Sequence, residues 1–99
     1  MNRPFYSEYV RHMLRFFTRN LTLIYFTSDV DNANWYACYE VFNQYSNKDK
    51  DILKYIYSSY DTLADNVYEA SLKYNINQNI IWDMMKEFER KIAKRRGLL

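Results

Sequence analysis

Residues 62–96, TLADNVYEASLKYNINQNIIWDMMKEFERKIAKRR, decide the reading of this chain. They read as two helices joined by the tight turn Tyr74-Asn75-Ile76-Asn77. Asn75 stands where the chain must reverse, and Asn is one of the few side chains that accepts the left-handed conformation such a reversal needs. Asn77 is placed to cap the second helix, its side-chain oxygen accepting a free backbone N–H of the first turn. Val67, Ala70, Tyr74, Ile76, Ile81 and Met84 fall at core spacing around the turn, with the small Ser71 where two helices would cross closely. That is the spacing of a helix-turn-helix.

Outside this stretch, composition bounds the fold. The chain has 99 residues, 48% of them hydrophobic, which makes one domain with a modest core. A single Gly and a single Pro argue against an all-β fold, which needs many turns built on those residues. The expected fold class is all-α, about five helices, with a long last helix. Residues 1–45 are expected to supply helices that complete the core, and 46–97 the helix-turn-helix half.

In chain order, Pro4 suits the first turn of a helix reaching Arg19. Phe5, Tyr6, Tyr9, Val10, Met13, Phe16 and Phe17 make its buried stripe. Asn20 to Thr27 loses the helical period and reads as an extended connector. Ser28 caps a second helix to about Gln44, apolar over much of its circumference and therefore expected to be central. Its sides are Val30, Ala33, Ala37, Val41 and Tyr45, and Trp35, Cys38, Tyr39 and Phe42. Ser46 caps a third helix to about Ser59 that buries Ile52, Leu53, Tyr55 and Ile56, with Tyr57 or Tyr60 at its edge. Asp61 or Thr62 opens the fourth, and the fifth runs from Asn77 without a breaker until Gly97.

Charge is distributed in three blocks. Residues 1–28 carry net +3, residues 29–70 net −5 and residues 71–99 net +4, within a total of +2. Such a pattern suits an anion-binding face made by the two ends, with a solvated acidic face opposite. Arg11, Arg15 and Arg19 are each four apart and share a helix face, either as a phosphate-contacting ridge or as a face pairing with the acidic middle. Arg90, Lys91, Lys94, Arg95 and Arg96 form a basic end, which also suits a helix C-terminus through its dipole.

Other chemistry is poorly supplied. Cys38 is the one cysteine and His12 the one histidine, so neither a disulfide nor a Cys/His metal site is expected and a reducing cytoplasmic setting is the simplest. His12 reads as a partly exposed polar residue. No Gly-rich phosphate loop exists, and the acid pairs Asp29/Asp31 and Asp49/Asp51 are explained by helix starts, so no enzyme and no cofactor are expected. No apolar run is long enough to span a bilayer.

Ser71, Asn75, Ile76, Asn77 and Ile81, followed by the basic RKIAKRR end, resemble the DNA-reading helix-turn-helix of sigma-70 region 4, including small phage and mobile-element transcriptional regulators built on it. The resemblance covers roughly residues 46–97. It departs from that pattern in having Asn75 for the commoner Gly and acidic Asp83 on the reading face. It implies promoter-type duplex DNA, or contact with RNA polymerase, as partner; another protein or a homodimer is a further expectation from the aromatic content, and no membrane partner is expected. Gln78, Asn79 and Trp82 would then face base edges and Lys86 and Arg90 the phosphates, with Asn77, Lys94 and Arg95 completing the expected DNA-binding set. The alternative expectation is a non-enzymatic interaction or inhibitor module. It would use Trp82 and the eleven tyrosines as an aromatic protein-binding surface.

Overall fold

The computed structural model describes residues 4–22 and 28–99. Five α-helices, α1 (Ser7–Arg19), α2 (Asp29–Phe42), α3 (Asn47–Ser58), α4 (Leu63–Tyr74) and α5 (Gln78–Arg95), make an all-α fold, with no strand among the described residues. Part of the expected connector, residues 23–27, lies outside them.

Local chemistry sets the helix ends. Ser28, Ser46 and Thr62 each accept the backbone N–H of the residue three further on, and Asn77 that of Asn79 at 2.7 Å. Asp31, Asp49 and Asp65 stand in the first turns, where the helix dipole favours negative charge. Only α1 lacks a side-chain cap. The residues from Pro4 to Tyr6 form a turn closed by Ser7 N–H to Pro4 C=O, so the helix starts at Ser7 rather than at the proline.

Packing corrects the expected centre of the fold. The helices with most neighbours are α1, which packs against α2, α3 and α5, and α5, which packs against α1, α2 and α4. Val10, Leu14 and Phe17 of α1 are wholly buried, and each such side chain contributes about 1.5–3 kcal/mol of burial. The apolar circumference of α2 does not make it central: Val30, Ala33, Tyr36 and Tyr39 remain exposed. Its other side is core, with Trp35 edge-on to Phe17 and stacked on Tyr39. Phe5 is 81% exposed and Tyr9 is also exposed, so the stripe of α1 is narrower than its apolar residues suggest. Tyr57, expected at an edge, is fully buried, and Ile80 of α5 is exposed. In both cases the neighbouring elements, not the helical period, decide.

The arginine face of α1 turns inward to the protein. Arg11 Nε donates to buried Glu89 at 3.0 Å. Arg15 donates to the carbonyls of Ser59 and Asp61, and Arg19 to those of Ser58 and Ser59 while lying 4.0 Å from the Tyr60 ring centre. Asn66, itself buried, donates to the carbonyls of Ile56, Ser59 and Asp61. These groups satisfy the carbonyls left open at the C-terminus of α3. Arg15 and Arg19 are thus a clamp on the α3–α4 connection, Arg11 a tie to α5, and the row is not a phosphate ridge.

Candidate functional site

The α4–α5 connection is built as its residues dictate. Asn75 adopts φ 51°, ψ 55°, and the N–H of Ile76 bonds back to Ser71 C=O, the Schellman arrangement that closes a helix. Ile76 packs against the core, which fixes where α5 departs. Val67, Ala70 and Ile81 are fully buried around this turn, and Tyr74 and Met84 are partly so. At its far end α5 closes with the same motif, Gly97 at φ 75° and Leu98 N–H bonded to Ala93 C=O.

Helix α5 has two distinct sides. Ile81, Met85, Phe88, Glu89, Ile92 and Ala93 are buried against the other helices. Opposite them Asn79, Asp83, Lys86, Arg90 and Lys94 are all exposed, and at 3.6 residues per turn they share an arc of about 80°. Among the described residues Lys86, Arg90 and Lys94 have no carboxylate partner.

The remaining basic residues of the helix are already engaged. Lys91 pairs with Glu87 one turn back, and Arg95 pairs with Glu40 of α2. Arg96 donates to Asn34 Oδ1 at 2.6 Å, and Asn34 in turn donates to the Tyr9 hydroxyl. The basic end therefore divides by position around the helix into a stripe with no carboxylate partner among the described residues, the Lys91–Glu87 pair within α5, and Arg95 and Arg96, which tie α5 to α2.

The structure brings Asn79, Lys86, Arg90 and Lys94 of the expected site together and separates the others from them. Asn77 is exposed but spends its side-chain oxygen on the cap. Gln78 is exposed because it lies in the first turn, although its position around the helix is that of Met85 and Glu89. Trp82 is half-buried and packs against the core. Arg95 lies on the α2 side.

A shallow cleft lined by Asp51, Lys54, Tyr55, Ser58 and Tyr74 lies between α3 and the end of α4. Its charges are mixed and it converges on no reactive group. Among the described residues no cluster of three or more His, Cys, Asp or Glu could hold a metal ion, and no helix is long and apolar enough to cross a membrane. Compared with known proteins, the chain matches no family model, no curated protein sequence and no solved structure. The functional reading therefore rests on the residues themselves.

Proposed function

We propose that the chain is a small DNA-binding regulator that docks α5 against duplex DNA, as the resemblance of residues 46–97 to a sigma-70 region 4 helix-turn-helix implies. One observation carries the reading: among the described residues Lys86, Arg90 and Lys94 stand without a carboxylate partner on the outward stripe of α5, while their neighbours Lys91 and Arg95 are paired with Glu87 and Glu40. Cations four residues apart on a straight helix suit successive phosphates, and Asn79, nearest the turn on the same stripe, suits the adenine edge. Gln78 and Trp82 flank this contact rather than lead it.

The test is duplex DNA binding across a salt series, with the triple variant Lys86→Ala/Arg90→Ala/Lys94→Ala as comparison. Losing three phosphate contacts lowers the slope of log affinity against log salt by about 2–3. Asn79→Ala leaves that slope unchanged and narrows the difference between preferred and random sequence. An unchanged salt slope in the triple variant sinks the reading.

The exposed row Val30, Ala33, Tyr36 and Tyr39 on α2 favours a second reading, an interaction module that binds another protein through an aromatic face. Wild-type protein that fails to bind DNA even at low salt transfers the function to that face.

A further inference from the structure

Helix α4 carries a charge ladder of its own on the face turned away from the core. Asp61, just ahead of the N-cap, is followed at four-residue steps by Asp65, Glu69 and Lys73, and all four are exposed. No ion pair engages the three acids among the described residues, and Lys73 lies over the Tyr55 and Tyr74 rings. Tyr68 and Leu72, both more than half exposed, stand among them. Read from its C-terminal end, the outward stripe of α5 is Lys94, Arg90, Lys86 and then Asp83, again all exposed. One ladder reads acid, acid, acid, base and the other base, base, base, acid, at nearly the same spacing.

We infer that the outer face of α4 in one copy of this chain docks antiparallel on the outer stripe of α5 in a second copy. The register sets Asp61 opposite Lys94, Asp65 opposite Arg90 and Glu69 opposite Lys86. Lys73 and Leu72 then meet Asp83 and Trp82. The fourth pair selects the antiparallel sense, because a parallel register that keeps the other three leaves Lys73 opposite Leu98 and Asp83 opposite Ser58. Opposed helix dipoles favour the same sense.

Exposed pairs are individually weak, so the contact is a concentration-dependent and salt-sensitive one. Because the two surfaces differ, a pair of copies leaves one of each open, and assembly proceeds head to tail. The acids of α4 occupy the cations assigned above to phosphates, so assembly and DNA exclude one another. The assembly itself does not depend on DNA being the ligand.

The experiment is sedimentation of the full chain over a concentration series, in low salt and in molar salt, where the screening length falls to about 3 Å. The expected result is a mass that climbs with concentration in low salt and returns to the monomer in high salt. Two reversed variants, Asp61→Lys/Asp65→Lys/Glu69→Lys and Lys86→Glu/Arg90→Glu/Lys94→Glu, each stay monomeric alone and associate when mixed, with helix content checked by circular dichroism. Wild-type protein that stays monomeric in low salt overturns the proposal. So does association that salt leaves unchanged, or that persists in either variant alone, since it belongs to another surface.

Discussion

Tyr57 donates its hydroxyl hydrogen to Glu89 at 2.6 Å inside the core, joining α3 to α5 through two residues that are each at least 97% buried. The same carboxylate oxygen accepts Arg11 Nε at 3.0 Å, so the three helices α1, α3 and α5 meet on one charge. A buried carboxylate stripped of its counter-charge is costly, whereas a neutral replacement removes the cause of the cost. Arg11→Met is therefore expected to lower stability by about 3–5 kcal/mol and Glu89→Gln by about 1–2 kcal/mol, read from urea denaturation midpoints. Equal losses, or the reverse order, would show that the guanidinium is not what makes burial of Glu89 tolerable.

Alkaline pH should unfold the chain by a route the core dictates. Burial pushes the Cys38 thiol from its ordinary 9.0 up to about 12, and burial followed by the Glu89 charge pushes the Tyr57 hydroxyl well up. The folded state holds both groups protonated while the unfolded chain releases those protons. Stability from Cys38 is then complete below pH 9.0 and is lost as pH rises toward about 12, with Tyr57 adding to the loss above its ordinary 10.0. Each group accounts for up to about 1.4 kcal/mol per pH unit in its window. Denaturation midpoints between pH 7 and 11 should show this fall, and Cys38→Ala should start lower but decline less steeply from pH 9.0. Parallel curves for the two proteins would count against it.

The clamp on α3 separates stability from binding. Asn66→Ala removes three bonds from buried or part-buried carbonyls and is expected to cost about 1–3 kcal/mol. Arg15→Ala, which removes one of several donors to the Ser59 and Asp61 carbonyls, should cost about 1 kcal/mol and leave DNA affinity within twofold. A large loss of DNA affinity in Arg15→Ala, with the fold intact, would return the α1 arginines to the phosphate-contacting set.

What the sequence disclosed and what it hid follow from range. Ser28, Ser46, Thr62, Asn75 and Asn77 act on backbone groups within five residues of themselves, so their roles were legible from spacing alone. Arg11, Arg15 and Arg19 were legible as one face, but their partners lie 39 to 78 residues away and no local pattern names them. Glu89 carried no sign of burial because its two partners come from other helices. For α2, apolar residues all round the helix left the choice of buried side to its neighbours, and they cover Trp35, Cys38 and Phe42 while leaving Tyr36 exposed. On α5 the count of cations was readable, but which of them stay unpaired depends on where Glu40 and Asn34 of α2 fall.

Asp83 offers a test in which binding improves. It is the carboxylate on the outward stripe of α5, one turn from Lys86 and within the arc shared by Asn79 and Arg90, and no ion pair among the described residues neutralises it. Against phosphates its charge repels, and being exposed it does so through water, so the effect is modest and screened by salt. Asp83→Asn is therefore expected to raise duplex DNA affinity several-fold in low salt, with the gain shrinking toward zero as salt rises. Folding stability should move by less than about 0.5 kcal/mol, as for a surface substitution away from special features. The same change removes the partner of Lys73 in the proposed assembly and so weakens self-association. One substitution that strengthens DNA binding while weakening self-association is hard to produce by general damage to the fold. Unchanged DNA affinity in low salt, with the fold intact, would mean that Asp83 faces no phosphate.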